Sequence, residues 1–129
     1  MAFIVQHLIE GRPKPITVQL NVTVQKALEL MVENDYSQLP IVDSKGRVVE
    51  GKEKKAKMIT SESILRALSN FHIMPHNETL HVSDAMIQTS TFGPEDDPFE
   101  LFKELRDNQA VLVEEGEDHI IVGIVTSFV

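Results

Sequence analysis

Apolar residues recur at helical spacing in three stretches of the chain. Val24, Ala27, Leu28 and Met31 fall at steps of 0, 3, 4 and 7, which is one face of a helix. Pro98, Leu101, Phe102 and Leu105 repeat that spacing 74 residues later. Ile64, Leu65, Ala67, Leu68 and Phe71 share one side of a third helix, which Ser61-Glu62-Ser63 opens. Two short apolar runs with strand character follow the first two helices, Leu39-Pro40-Ile41-Val42-Asp43 and Val111-Leu112-Val113-Glu114. Each leads through a polar turn, Ser44-Lys45-Gly46 or Glu115-Gly116-Glu117-Asp118, into another strand that ends in threonine. Those strands are Met58-Ile59-Thr60, reached after Val48-Val49-Glu50-Gly51 and a Lys-rich insert, and the uninterrupted Ile120 to Thr126.

The pattern is a repeat. Upstream of the two helices, Ile16-Thr17-Val18 matches Ser90-Thr91-Phe92 at the same offset of 74. Local signals agree. Thr23 caps the first helix, and Asp97, Pro98 and Glu100 supply a cap, a first-turn proline and a capping-box acid for its counterpart. Met74-Pro75-His76-Asn77 breaks the chain between the units, and Ser83-Asp84-Ala85-Met86 reads as a short helical turn. Each unit therefore predicts strand, helix, strand, strand, helix. The second stops at Val129, three residues past Thr126, where the first begins its last helix; this reads as an excised piece or a truncated C-terminus. The expected divisions are a helical segment (Phe3 to Glu10) and linker over 1–15, a first repeat over 16–73, a linker over 74–89 and a second repeat over 90–129.

Charge sharpens this layout. The 129 residues carry a net charge of −8, but residues 1–90 balance ten Lys/Arg against ten Asp/Glu. The excess lies in 91–129, where ten acids face Lys103 and Arg106. That balance lacks the basic footprint of a nucleic-acid binder. The one basic run, Lys52-Glu53-Lys54-Lys55-Ala56-Lys57, reads as a solvated hairpin tip. No apolar run is long enough for a membrane span, and the N-terminus has no signal-peptide pattern, so a cytoplasmic setting is expected. The absence of cysteine excludes a disulfide scaffold, a thiol nucleophile and thiolate metal sites. His72, His76 and His81 straddle Pro75, so one helix face cannot present them as zinc ligands. Asp96, Asp97, Glu114, Glu115, Glu117 and Asp118 read as a cap and a turn rather than as acid–base pairs or calcium ligands. With no nucleophile elbow, P-loop or dinucleotide fingerprint, catalysis is not expected.

The ordered set, occurring twice, resembles a tandem CBS domain pair, also called a Bateman module, over about 16–129. The resemblance implies an α/β (α+β) fold of two β-α-β-β-α repeats with small mixed sheets. It implies a regulatory module that binds adenosyl compounds in clefts between the repeats and has no chemistry or required cofactor of its own. Adenine nucleotides (AMP, ADP, ATP) are the first candidates, with S-adenosylmethionine or a dinucleotide behind them. In repeat one, Ile16 and Thr17 stand at the family's first-strand position, Tyr36, Ser37, Gln38, Leu39 and Pro40 around the second strand, and Thr60 at the phosphate position. Thr91, Val111 and Thr126 stand there in repeat two.

The family's ribose aspartate is Ser63 in repeat one and Val129 in repeat two. A carboxylate takes both ribose hydroxyls through charge-assisted bonds, each contributing roughly 1.5–3 kcal/mol. Ser63 keeps one neutral bond and Val129 none. With Arg66 near Thr60 and the acidic excess around Thr126, one ligand per chain is expected, on the Thr60 side. Other readings stand beside these. Thr60 serves equally as an N-cap, Arg66 as half of a surface ion pair, and Tyr36 as the residue closing a helix–strand turn. The surplus of apolar helix face predicts a homodimer, and an effector domain of unknown identity reads the ligand. The competing function is an assembly module whose clefts hold no ligand.

Overall fold

The computed structural model describes residues 3–48, 55–71 and 80–126, with side chains at 70 and 71 excepted. In chain order the elements are α1 (Gln6–Ile9), β1 (Val18–Gln19), α2 (Val24–Asn34), β2 (Gln38–Val42), β3 (Lys55–Thr60) and α3 (Ser61–Phe71). A 3-10 turn (Val82–Asp84), β4 (Ile87–Phe92), α4 (Pro98–Glu104), β5 (Ala110–Glu115) and β6 (Ile120–Thr126) follow. Thr23 Oγ1 accepts from the Lys26 N–H at 3.1 Å and Asp97 Oδ1 from the Phe99 N–H at 2.9 Å, so both expected caps form. Glu100 bonds Lys103 instead of closing a capping box.

The two repeats have the same topology. β1 runs parallel to β2 and β4 parallel to β5, each joined through a helix as a parallel crossover requires. β3 and β6 return antiparallel to their neighbours. The small sheets expected from the sequence are joined: β3 pairs antiparallel with β4, giving the order β1-β2-β3-β4-β5-β6. Two boundaries change with that pairing. β4 begins at Ile87, inside the stretch expected as linker. Lys55, Ala56 and Lys57 face Ser90, Thr89 and Gln88, so this half of the Lys-rich run is strand rather than hairpin tip. The reason is visible at Ala56, which is 1% exposed and packs with Leu112 and Ile121 of the other repeat. The Val49 to Gly51 segment and Val129 lie outside the described residues.

Each lead-in segment packs on the opposite repeat. Val5 and Ile9 join Leu101, Val111, Val113 and Val125 of repeat two, while Leu80, Val82 and Ala85 join α2, β2 and α3 of repeat one. Backbone bonds fix both: Val5 N–H to the Asp96 carbonyl at 3.0 Å, and Val82 N–H to the Val22 carbonyl at 2.9 Å. β6 accommodates Ile9 through Gly123, where a Cβ would stand 2.5 Å from Ile9 Cγ2. The N-terminal segment is therefore part of the core of repeat two.

Candidate functional site

A cavity of about 370 Å³ opens where α1, the start of repeat one and β6 meet. Three pieces of chain build it. Ile9 and the Arg12–Ile16 crossing, where Pro13 and Pro15 hold the backbone extended, make one wall. The end of α2 makes the second, with Asp35, Tyr36, Ser37 and Gln38. Val122, Gly123, Ile124 and Thr126 of β6 make the third. The helix-to-strand corner is rigid because the Tyr36 N–H donates to the Met31 carbonyl at 2.9 Å and Ser37 Oγ donates to Gln38 Oε1 at 2.6 Å. Tyr36 stays 41% exposed, leaving its ring face available to a flat ligand.

The structure unites some of the residues read from the sequence and separates others. Ile16, Tyr36, Ser37 and Gln38 of repeat one share this cavity with Thr126 of repeat two. Thr17 lies instead on a separate groove with Lys26 and Leu30. Leu39 and Val111 are fully buried in the core, Pro40 is buried in β2 opposite Met58, and Thr91 is buried opposite Leu112.

The Thr60 side is built differently. Thr60 is 1% and Ser63 6% exposed. Thr60 Oγ1 accepts from the Ser63 N–H while Ser63 Oγ accepts from the Thr60 N–H and donates to the Thr60 carbonyl, all at 2.9 Å. This reciprocal cap uses the groups that a phosphate would need. Among the described residues, Ser63 and Arg66 border a groove of about 160 Å³, and Arg66 is paired with Glu62 at 2.7 Å. On β4, Thr89 Oγ1 donates to the Ala110 carbonyl and Ser90 Oγ to Glu104 of α4, so both hydroxyls are engaged. The sequence pointed to the Thr60 side, whereas among the described residues the larger of these two cavities lies at Thr126. Charge and replaced aspartates, which set the expectation, carry no information on volume.

Sequence reasoning did not reach Ile9, Arg12, Pro13, Pro15, Asp35 or Gly123. The alternating prolines of Arg12-Pro13-Lys14-Pro15 and the aspartate at a helix end were the available signals. Among the described residues, no group of three or more His, Cys, Asp or Glu side chains is placed to hold a metal ion.

Comparison with known proteins places one stretch of the chain in a family. Residues 9–70 match the family model of the CBS domain. A CBS domain from a Sphaerobacter thermophilus membrane protein superposes with a TM-score of 0.74 at 22% identity, covering 96% of this chain and 83% of that one. Residues 9–70 form a CBS domain, and the chain has the fold of a tandem CBS pair. The CBS pair of protein MJ0100, in complex with 5′-methylthioadenosine and S-adenosyl-L-methionine, gives 0.74 at 24% identity, covering 98% and 91% of the two chains. CBSX2 in complex with AMP gives 0.76 at 19% identity, covering 98% and 91%. No curated protein sequence matches. In CBS-pair terms, the 370 Å³ cavity lies between the start of the first repeat and the last strand of the second.

Proposed function

We propose that this chain is a regulatory module that binds one adenosyl compound, AMP or a related nucleotide first and S-adenosylmethionine second, in the cavity bounded by Ile16, Tyr36–Gln38 and Thr126. One observation carries the reading: residues from both repeats line a single cavity of about 370 Å³, within the roughly 300–1,000 Å³ usual for small-molecule sites. Ile9, Ile16, Val122 and Ile124 offer apolar surface to a base, Tyr36 a ring face, and Thr126 a hydroxyl at the end of β6. The adenosyl ligands of MJ0100 and CBSX2 support the ligand class. A ligand touching both repeats favours one relative arrangement of them, which an attached domain or partner reads. The module contributes no chemistry of its own, and a cytoplasmic setting fits a chain in which no described helix is long and apolar enough to cross a membrane.

The same reading includes a homodimer. Val32 on α2, Leu65 on α3, and Phe99 and Phe102 on α4 are exposed at 81%, 66%, 63% and 40%. Sedimentation at micromolar concentration tests it, and a monomer counts against it. The runner-up, a ligand-free assembly module, draws on the self-satisfied Thr60–Ser63 cap. A thermal-shift screen with adenosyl compounds separates the two, because a ligand at 100 times its Kd stabilises by about 2.7 kcal/mol. No shift with any adenosyl compound leaves the assembly reading.

A further inference from the structure

Two charges without an ion-pair partner among the described residues line the cavity, and one of them sits on a strained backbone. Asp35 has φ 57° and ψ 42°, the left-handed region in which glycine most often ends a helix. The helix gains nothing from the aspartate side chain there. Its end is closed by the backbone, with the Asp35 N–H donating to the Met31 and Val32 carbonyls. The Asp35 carboxylate has no hydrogen bond or ion pair among the described residues, and it lines the cavity. The left-handed backbone ends α2, and the carboxylate takes no part in that, which leaves it for another role. Arg12, on the Arg12–Ile16 wall of the same cavity, is also without an ion-pair partner among the described residues. Its guanidinium offsets the repulsion that Asp35 exerts on an anionic ligand. The rest of the wall is apolar or neutral.

We propose that Asp35 is a specificity-determining residue of this cavity, its carboxylate accepting a hydrogen-bond donor carried by the ligand. The inference rests on the adenosyl reading above. A carboxylate is an acceptor only, so it rewards a ligand that presents a hydroxyl or an amine at that wall and penalises one that presents a carbonyl. In an adenosyl compound the donors are the ribose hydroxyls and the exocyclic amine of the base.

Calorimetry with three probes tests this on the full chain and on Asp35→Asn, which keeps a residue tolerant of left-handed backbone. The probes are AMP, 2′-deoxy-AMP lacking one hydroxyl, and inosine monophosphate with a carbonyl in place of the amine. Asp35→Asn weakens AMP about 10-fold, the size of one charge-assisted bond. The analogue without the contacted donor then binds both proteins equally. If the substitution changes all three affinities by one common factor, or by none, the inference is overturned while the adenosyl reading stands. If the unaltered chain binds none of the three, the adenosyl reading fails and takes the inference with it. Asp35→Gly supplies a second check. It melts no lower than the unaltered chain, since it removes strain, yet loses AMP affinity as Asn does. A glycine variant that binds AMP as tightly as the unaltered chain reduces Asp35 to a helix stop and overturns the proposal.

Discussion

Thr60 and Thr126 occupy equivalent places in the two repeats, yet different walls pack beside them. Each ends the third strand of its unit and pairs with the residue opening the strand before it, Gln38 in one case and Ala110 in the other. At Thr60 the chain continues into α3, and Ser63 reaches back to satisfy the strand end, leaving the hydroxyl inside a closed loop of bonds. At Thr126 the neighbouring wall is the Arg12–Ile16 crossing and the α2 corner, which leave a cavity. The Thr60 strand end is thus closed by Ser63, while the Thr126 strand end lines a cleft. The difference comes from what packs beside each.

The largest effect falls on the packing that makes the cavity wall. Gly123→Ala places a methyl 2.5 Å from Ile9 Cγ2. Overpacking of this kind costs about 1–3 kcal/mol in a urea melt, and AMP affinity falls with the displaced wall. Ile9→Ala on the same background recovers part of that loss, because the two side chains occupy one space. Next, Thr60→Val separates the two threonines. It leaves the buried Ser63 N–H without its acceptor and costs about 1–3 kcal/mol of stability, with AMP affinity unchanged. A Thr60→Val chain that folds normally but no longer binds AMP breaks the comparison.

Smaller effects compare the caps and turns. Thr23→Ala and Asp97→Ala each cost about 1 kcal/mol in thermal melts, since both side chains hold a first-turn N–H. The least is expected in the Asp43 turn. The Arg47 backbone N–H, opposed by partial burial and assisted by the Arg47 side chain and the Lys45 N–H, holds the Asp43 carboxyl below its ordinary 3.8. A lowered folded-state value stabilises above that ordinary value and is lost as pH falls below it. Asp43→Asn therefore removes that contribution at neutral pH and flattens the acid limb of a pH–stability profile below about pH 4.

Helical periodicity and the offset of 74 made α2, α4, β2 and β5 legible, because a buried face imposes its period on the residues that fill it. The joining of the sheets was not legible. The alternation Lys55-Ala56-Lys57 is a half-buried strand, but its charged positions resemble a solvated tip until β4 lies beside them. Within the candidate site, Ile16, Tyr36, Ser37, Gln38 and Thr126 were within reach because the family resemblance implies those positions. Ile9, Arg12 and Gly123 were not, since they meet only when α1 crosses onto the other repeat. That crossing depends on a notch of one missing Cβ.

The central claim is one adenosyl ligand per chain in the Thr126 cavity, and titration calorimetry of AMP into the unaltered chain, Thr126→Val and Thr60→Val addresses it most directly. The account predicts one site per chain, an affinity about 10-fold weaker in Thr126→Val, and an unchanged affinity in Thr60→Val. Two equal sites per chain, or a loss of binding confined to Thr60→Val, would contradict it.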